Sequence, residues 1–121
     1  MAISMATCKL FSPLIKEIDN QVRIGNYLSR SEFIRYAIKS LEKNPFLIDT
    51  NIMFMDQLMS RILNGSAQEV KMENKVVSFK LPHKSANRLN SLSEEKQISR
   101  SEIIRLGITL LLMEEQTLHK T

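Results

Sequence analysis

The chain has 121 residues and a mass of 14.0 kDa, which suits one small domain or two very small ones and excludes a large enzyme. Lysine and arginine outnumber acidic residues by 17 to 13, and the resulting net charge of +4 favours an anionic partner. With 43% hydrophobic residues, 3 glycines and 3 prolines, the composition is that of a folded globular protein rather than a disordered chain.

The cysteine content and the apolar runs indicate the compartment. A single cysteine, Cys8, cannot form an intramolecular disulfide, which favours a reducing cytoplasm. The longest apolar runs, at 52–55 and 110–113, are far shorter than the roughly 20 residues of a membrane-spanning helix. The first residues lack the charged and apolar regions of a signal peptide. The sequence therefore predicts a cytoplasmic protein that does not enter a membrane.

The first predicted elements are a strand and a helix. A period of two through residues 5–10 predicts a short strand with one apolar face. The pair Ser12-Pro13 then predicts a helix start, because serine is a good cap and proline suits the first helical position. An apolar stripe follows, and this helix is expected to end around Gly25-Asn26.

A second helix is predicted to begin at a capping box. Ser29 is followed three residues later by Glu32, so the serine hydroxyl can accept from an early backbone N–H while the glutamate reaches back to the N–H of the serine. An apolar stripe at helical spacing continues to Asn44-Pro45, where the helix is expected to stop.

The region that joins the two halves, residues 45–74, carries a further helical pattern. Its apolar residues share one face of a predicted amphipathic helix over about residues 50–64, namely Ile52, Met55, Leu58, Met59 and Ile62. The stretch from 65 to 74 is polar and is predicted to form a loop.

The same order of elements recurs in the second half. Apolar and polar residues alternate over residues 76–81, which predicts a strand that ends at Pro82. A helix is predicted from there to about Lys96-Gln97. Ser99 and Glu102 form a second capping box and start the last helix.

The two halves are copies of one unit. Residues 29–35 read Ser-Arg-Ser-Glu-Phe-Ile-Arg and residues 99–105 read Ser-Arg-Ser-Glu-Ile-Ile-Arg, so six of seven positions agree at an offset of 70. The strands of the two copies align better at an offset of 71 residues, because an offset of 70 would turn Lys9 toward the core. We therefore expect one residue to have been gained or lost in the first helix or in the turn after it. Ala37 and Gly107 occupy equivalent positions on apolar faces, and such small residues predict the close approach of another helix.

The duplication predicts how the strands are used. Each copy contains one strand without a partner, and an unpaired strand with an apolar face is unstable in water. Antiparallel pairing of the two strands removes this problem and buries their apolar face against the helices. The predicted fold class is mainly α with a two-stranded antiparallel β-ribbon, in which tandem units form an intramolecular pseudo-dimer. The units are residues 1–44 and 75–121, joined by the linker 45–74 and intertwined as one folding domain.

The outward face of this ribbon carries the first candidate binding residues. They are short hydrogen-bonding side chains and cations, namely Thr7, Lys9, Ser78 and Lys80. A two-stranded ribbon fits the major groove of B-form DNA, where such groups can read base edges.

A second group of candidates lies at the starts of the capped helices. Arg30 follows the capping Ser29, and Arg100 follows the capping Ser99. Free backbone N–H groups, the positive end of the helix dipole and an arginine together form a phosphate-binding site.

These residues resemble the ribbon-helix-helix family of DNA-binding proteins, which are normally homodimers of one strand-helix-helix unit per chain. The resemblance covers about residues 4–44 and 75–115, and it rests on the motif Ser-Arg-Ser-Glu-x-Ile-Arg and on the second strand, Val-Ser-Phe-Lys-Leu-Pro. The chain looks like the tandem variety, similar to certain conjugative-plasmid accessory proteins and archaeal-virus transcription regulators.

The resemblance implies specific roles for residues of both copies. The implied base contacts are made by Thr7, Lys9, Ser78 and Lys80, together with Met5 and Val76. The implied phosphate contacts are made by Ser29, Arg30, Ser99 and Arg100.

Each assignment has a simpler alternative. A lysine on an exposed strand can serve only to protect that edge against aggregation. Arg30 and Arg100 can form surface salt bridges with Glu32, Glu102 or another carboxylate. The two serines cap their helices in either case.

The sequence therefore predicts a sequence-specific transcriptional regulator that binds double-stranded DNA. It contains no nucleophile–base pair, phosphate loop or metal-ligand spacing, so we expect neither an enzyme nor a cofactor or metal. Because the copies differ, the operator is expected to be an imperfect palindrome or asymmetric. One ribbon covers only a few base pairs, so two or more molecules are expected to bind side by side.

Two other functions remain open at this stage. One is a DNA-binding accessory or architectural factor that recruits a relaxase or another enzyme. The other is an antitoxin-like adaptor that binds a protein through the linker helix or through residues 113–121.

Overall fold

The computed structural model describes residues 3–63 and 74–119 of the chain. The first half contains β1 (Ile3–Phe11), α1 (Ser12–Ile24) and α2 (Arg30–Lys43). The linker contains α3 (Phe46–Asn51), a 3₁₀ turn (Ile52–Phe54) and α4 (Met55–Leu63). The second half contains β2 (Asn74–Pro82), α5 (His83–Lys96) and α6 (Arg100–His119). The loop predicted over residues 65–74 falls outside the described residues except for Asn74, which begins β2.

The protein is mainly helical with a two-stranded antiparallel sheet, which confirms the coarse prediction of fold class. β1 pairs with β2 along the full length of both strands, from Ile3 opposite Pro82 to Phe11 opposite Asn74. Each strand has 9 residues and is longer than the sequence pattern indicates. The reason is that backbone pairing continues at both ends of the ribbon, where the alternation of apolar and polar side chains has already stopped.

Burial confirms the orientation that the offset of 71 predicts, because Lys9 and Lys80 are exposed whereas Leu10 and Leu81 are buried. Thr7 lies opposite Ser78, and these two residues are equivalent in the two copies at that offset. With an offset of 70, no residue of this register would face its own equivalent. The strands therefore meet at corresponding points of the repeated sequence.

The inner face of the sheet is part of the hydrophobic core. Its buried side chains are Cys8, Leu10, Val77, Phe79 and Leu81. Burying a large apolar side chain of this kind stabilises the fold by about 1.5–3 kcal/mol. Ala6, which the alternation also places on the inner face, is only partly buried because it borders a groove at the side of the sheet.

The second helices of the two copies, α2 and α6, pack closely against each other. A Cβ atom added to Gly107 would lie 3.0 Å from the carbonyl oxygen of Ala37 and 3.2 Å from a methyl group of Leu41. This confirms the close approach that the small residues at these equivalent positions predict. The absence of a side chain at Gly107 lets the two helix backbones come into direct contact.

The difference in length between the copies lies in the first helix and in the turn after it, as predicted. Helix α1 has 13 residues and α5 has 14. Both helices end on a left-handed residue, Gly25 with φ of 98° and Gln97 with φ of 55°. The turn that follows is two residues longer in the first copy, and this more than compensates for the shorter helix.

The longer turn is held by Tyr27. Its ring is buried and packs edge to face against Phe33, with 4.8 Å between ring centroids. Its hydroxyl donates to Oε1 of Glu115 on α6 at 3.0 Å. Burial is the main cause that raises the pKa of this hydroxyl, and the contact with Glu115 adds to it. Tyr27 therefore fastens the turn of the first copy to the last helix of the second.

The linker is helical but interrupted. Where the sequence predicts one helix over about residues 50–64, α3 begins at Phe46 and a 3₁₀ turn separates it from α4. The side chains of Thr50 and Asn51 donate to backbone carbonyls of the preceding turn, at 3.1 and 2.9 Å. Such bonds compete with the regular helical pattern and bend or break the helix.

The linker helices pack on the second copy. Met59 and Ile62 on α4 are buried, and Gln116 on α6 donates to the carbonyl oxygen of Ile62 at 3.4 Å. Asp49 on α3 forms an ion pair of 2.9 Å with Lys96 at the end of α5. Across residues 3–63 and 74–119, no helix combines the length and apolar character that crossing a membrane requires.

We expect the substitution Gly107→Ala to destabilise the protein. Alanine is a better helix former than glycine by about 1 kcal/mol, but the new methyl group would force α2 and α6 apart. Overpacking of this kind typically costs about 1–3 kcal/mol. We expect the free energy of unfolding to fall by about 1 kcal/mol, measured by urea denaturation. An increase in the free energy of unfolding, which helix propensity alone would produce, would contradict the close packing of α2 against α6.

Candidate nucleic-acid interface

The outward face of the ribbon displays every residue for which the sequence predicts a base contact. All six side chains are exposed, and they form three cross-strand pairs, Met5–Lys80, Thr7–Ser78 and Lys9–Val76. The central pair consists of two hydroxyls, and each outer pair consists of one lysine and one apolar side chain. The apolar members are largely exposed, Met5 at 65% and Val76 at 63%.

The ribbon also carries a concentration of positive charge. Its strands contain no acidic residue, and Lys9 and Lys80 lie on the outward face, whereas Lys75 lies opposite Leu10 and belongs to the other face. Lysines can bind the O6 and N7 acceptors of guanine, hydroxyls can bond to several bases, and apolar side chains can contact the methyl group of thymine. The three pairs thus offer the types of group that recognise the major groove.

Two arginines hold the ribbon against the helices. Arg35 on α2 donates to the carbonyl oxygen of Lys80 at 3.3 Å, and Arg105 on α6 donates to the carbonyl oxygen of Lys9 at 3.2 Å. Each arginine therefore reaches the strand of the other copy. These bonds fix the backbone of the two lysines on the outward face.

The sequence did not assign a role to Arg35 and Arg105. Both arginines end the repeated motif, and their identity in the two copies is the sequence feature that could have marked them as functional. Their partners depend on the pairing of the strands, so the contacts could not be found from spacing along the chain.

The two capping serines adopt the predicted role at their helix starts. The hydroxyl oxygen of Ser29 accepts from the backbone N–H of Glu32, and that of Ser99 accepts from the N–H of Glu102, both at 3.1 Å. The predicted return bond from the N–H of each serine to the glutamate is not formed, and Glu32 accepts instead from the N–H of Leu28, one residue earlier, at 3.4 Å. The hydroxyl of Ser99 also donates to the carboxylate of Glu102 at 3.0 Å.

The two candidate phosphate-binding arginines have different partners. Arg30 donates twice to the carboxylate of Asp19, at 3.0 and 2.9 Å. Arg100 donates to the amide oxygen of Asn90 at 3.0 Å. Asp19 and Asn90 are equivalent residues in the two copies, at the offset of 71. The charge of Arg30 is therefore balanced by a carboxylate, whereas the partner of Arg100 is neutral.

Arg100 shares a groove with part of the outward face. The groove runs along the side of the ribbon and is lined by Met5, Thr7, His83, Asn90 and Arg100, among others. This groove thus brings two predicted base-contacting residues, Met5 and Thr7, together with one predicted phosphate-contacting residue, Arg100.

Cys8 lies on the opposite, inner face of the ribbon. Its side chain is 2% exposed, and the sulfur lies 3.9 Å from the carbonyl oxygen of Ser101. Burial raises the pKa of the Cys8 thiol and disfavours the reactive thiolate. Cys8 acts as a small core residue beneath the outward face.

No protein-family model, curated protein or solved structure matches this chain. The functional conclusion therefore depends on the geometry of the described residues.

We expect the substitution Arg105→Lys to lower the free energy of unfolding by about 1 kcal/mol, because the hydrogen bond from a charged donor to Lys9 would be lost. The measurement is chemical denaturation beside Arg61→Lys, which changes an exposed arginine on α4. Equal stability of the two variants would show that the crossed arginine does not hold the ribbon.

Proposed function

We propose that the protein is a tandem ribbon-helix-helix transcriptional regulator that inserts its β-ribbon into the major groove of double-stranded DNA. The observation that carries this proposal is the outward face of the ribbon, where lysines, hydroxyls and apolar side chains from both copies are exposed together without an acidic residue on either strand. The ribbon has the width of two strands, which the major groove admits.

Three relations between the copies support an intramolecular pseudo-dimer. The strands meet at the equivalent pair Thr7–Ser78. The second helices cross where Ala37 and Gly107 occupy equivalent positions. The two motif arginines make crossed bonds to equivalent strand carbonyls. Each relation is preserved when one copy is exchanged for the other, as expected for two units related by an approximate two-fold axis.

In this proposal residues 1–44 and 75–121 are the two units of one intertwined domain, and 45–74 is the linker. Base edges are read by Thr7, Lys9, Ser78 and Lys80, with Met5 and Val76 against thymine methyl groups. Phosphates are bound at the helix starts by Ser29, Arg30, Ser99 and Arg100. The partners of the two arginines imply that the second copy holds its phosphate more strongly than the first.

The differences between the copies predict an asymmetric or imperfectly palindromic operator. A short ribbon gives limited specificity, so two or more molecules would bind side by side. The linker supports such a contact, since it exposes three large apolar side chains, Phe46, Met53 and Phe54. The same exposed residues favour, as a second candidate, an accessory or adaptor role in which the linker binds another protein.

Replacing both ribbon lysines tests the proposal directly. We expect Lys9→Ala/Lys80→Ala to abolish selective DNA binding while leaving the fold intact, because both side chains are exposed and point away from the core. The measurement is a footprint on the DNA upstream of the gene, with competitor DNA present, at two salt concentrations.

The matched control is Lys16→Ala/Arg61→Ala, which removes the same charge from exposed positions on α1 and α4. We expect this control to protect the same site as the unchanged protein. Equal loss of DNA protection in both variants, or unchanged protection by Lys9→Ala/Lys80→Ala, would contradict the assignment of the ribbon as the DNA-reading surface.

The unequal arginine partners give a second prediction. Asp19→Asn should strengthen DNA binding because it removes a negative charge beside Arg30, and Asn90→Asp should weaken it because it adds one beside Arg100. The slope of log affinity against log salt should change by about 0.9 for each phosphate that a variant newly binds or releases. Titrations at several salt concentrations measure this slope. Changes of the same sign in both variants would contradict phosphate binding at these helix starts.

A further inference from the structure

A second basic surface lies on one flank of the molecule, between α2 and α5. Four exposed cations line this groove, Lys39 and Lys43 from α2 and Lys84 and Arg88 from α5. The lysines on α2 are four residues apart, as are Lys84 and Arg88, so each pair shares one side of its helix. We call these four residues the flank cations.

One acidic residue, Glu42, also lines the groove. One of its carboxylate oxygens is buried and has no hydrogen-bond partner among the described residues. The four cations and this carboxylate leave the groove with a net charge of +3. This surface therefore carries more positive charge than the outward face of the ribbon, where Lys9 and Lys80 are the two lysines and no acidic residue lies on either strand.

The opposite flank lacks this charge, although it is built from the equivalent helices. At the offset of 70, Lys39 and Lys43 correspond to Thr109 and Met113 on α6, and at the offset of 71, Lys84 and Arg88 correspond to Pro13 and Glu17 on α1. Glu42 corresponds to Leu112. Thr109, Leu112 and Pro13 are buried and α4 packs on α6, so these positions are covered rather than open to solvent. Asn87, which also lines the groove of the flank cations, corresponds to Lys16, so the charges of Lys16 and Glu17 on α1 offset each other.

The flank cations are continuous with the end of the ribbon. Pro82, the last residue of β2, lines both this groove and an adjoining one that reaches Leu81 and Arg35. In the adjoining groove the charges of Arg35 and Glu32 offset each other. Asn87 on α5 lines both the groove of the flank cations and the groove beside the ribbon that contains Met5, Thr7 and Arg100. The flank cations therefore adjoin one side of the reading surface.

We propose that the flank cations bind the phosphate backbone of the DNA that continues beyond the ribbon, on one side only. The inference rests on the proposed function, because the ribbon brings this flank next to the duplex. DNA is favoured over an acidic protein because the groove begins where the reading surface ends, and a duplex continues in that direction with regularly spaced charges. The contact is independent of sequence, and it gives the bound protein a defined orientation on an otherwise nearly symmetric site.

The test compares two variants that each lose two exposed cations. Lys84→Gln/Arg88→Gln removes half of the flank cations, and Lys16→Gln/Arg23→Gln removes the same charge from α1 of the other copy. The probe is a duplex selected by the unchanged protein from a random-sequence library, extended equally on both sides. The measurements are hydroxyl-radical footprints and the dependence of affinity on salt.

We expect the unchanged protein to protect the backbone further on one side of its site than on the other. Lys84→Gln/Arg88→Gln should lose the protection on that side alone, keep the central protection, and lower the slope of log affinity against log salt by about 1.8, which corresponds to two phosphate contacts. Lys16→Gln/Arg23→Gln should keep the asymmetric footprint and the slope.

Two results would overturn the inference. One is a footprint that extends equally on both sides in the unchanged protein, and the other is an unchanged slope in Lys84→Gln/Arg88→Gln. In the second case, loss of salt-sensitive binding to polyglutamate by that variant alone would show that the groove binds an acidic protein instead. If the unchanged protein selects no sequence and binds no duplex, the proposed function itself fails, and this outcome is distinct from the other two.

Discussion

The pairing of β1 with β2 is the constraint on which the rest of the structure depends. Each strand has one apolar face and no partner within its own copy, so neither is stable until the two copies meet. Pairing buries side chains such as Leu10 and Phe79 beneath the helices, and it leaves the alternate side chains exposed in a single plane. The burial that stabilises the fold thus also creates the surface to which we assign DNA binding.

Further contacts join the two halves of the chain. Arg35 and Arg105 each cross to the strand of the other copy, and Gly107 allows the second helices to touch at their backbones. Between the two copies of the repeated sequence, several positions that bear charge differ. Asp19 stands where the second copy has Asn90, and the flank cations have no basic counterparts. A duplicated chain can change one half at a time, which a homodimer of identical units cannot do. In the proposed function these differences orient the protein on DNA, whereas the shared features hold the fold.

Features that depend on local sequence could be predicted. The alternation of side chains indicated the strands, the serine and glutamate pairs indicated the helix starts, and the small residues at positions 37 and 107 indicated the helix crossing. Features that depend on tertiary structure could not be predicted from the sequence. The partners of Arg35 and Arg105 follow from the register of the sheet. The carboxylate that pairs with Arg30 comes from Asp19 on another helix, and the break in the linker comes from side-chain bonds of Thr50 and Asn51. The flank cations lie on two helices from different copies, so only the folded chain brings them together.

The most direct test of the central claim is methylation interference on a duplex that the protein selects. Dimethyl sulfate methylates guanine at N7, in the major groove, and adenine at N3, in the minor groove, so it reports which groove the protein occupies. The proposed mode of binding predicts that methylated guanines block binding within a short central segment and that methylated adenines there are tolerated. Interference confined to adenine N3, or the absence of interference on a duplex that is bound, would contradict insertion of the ribbon into the major groove.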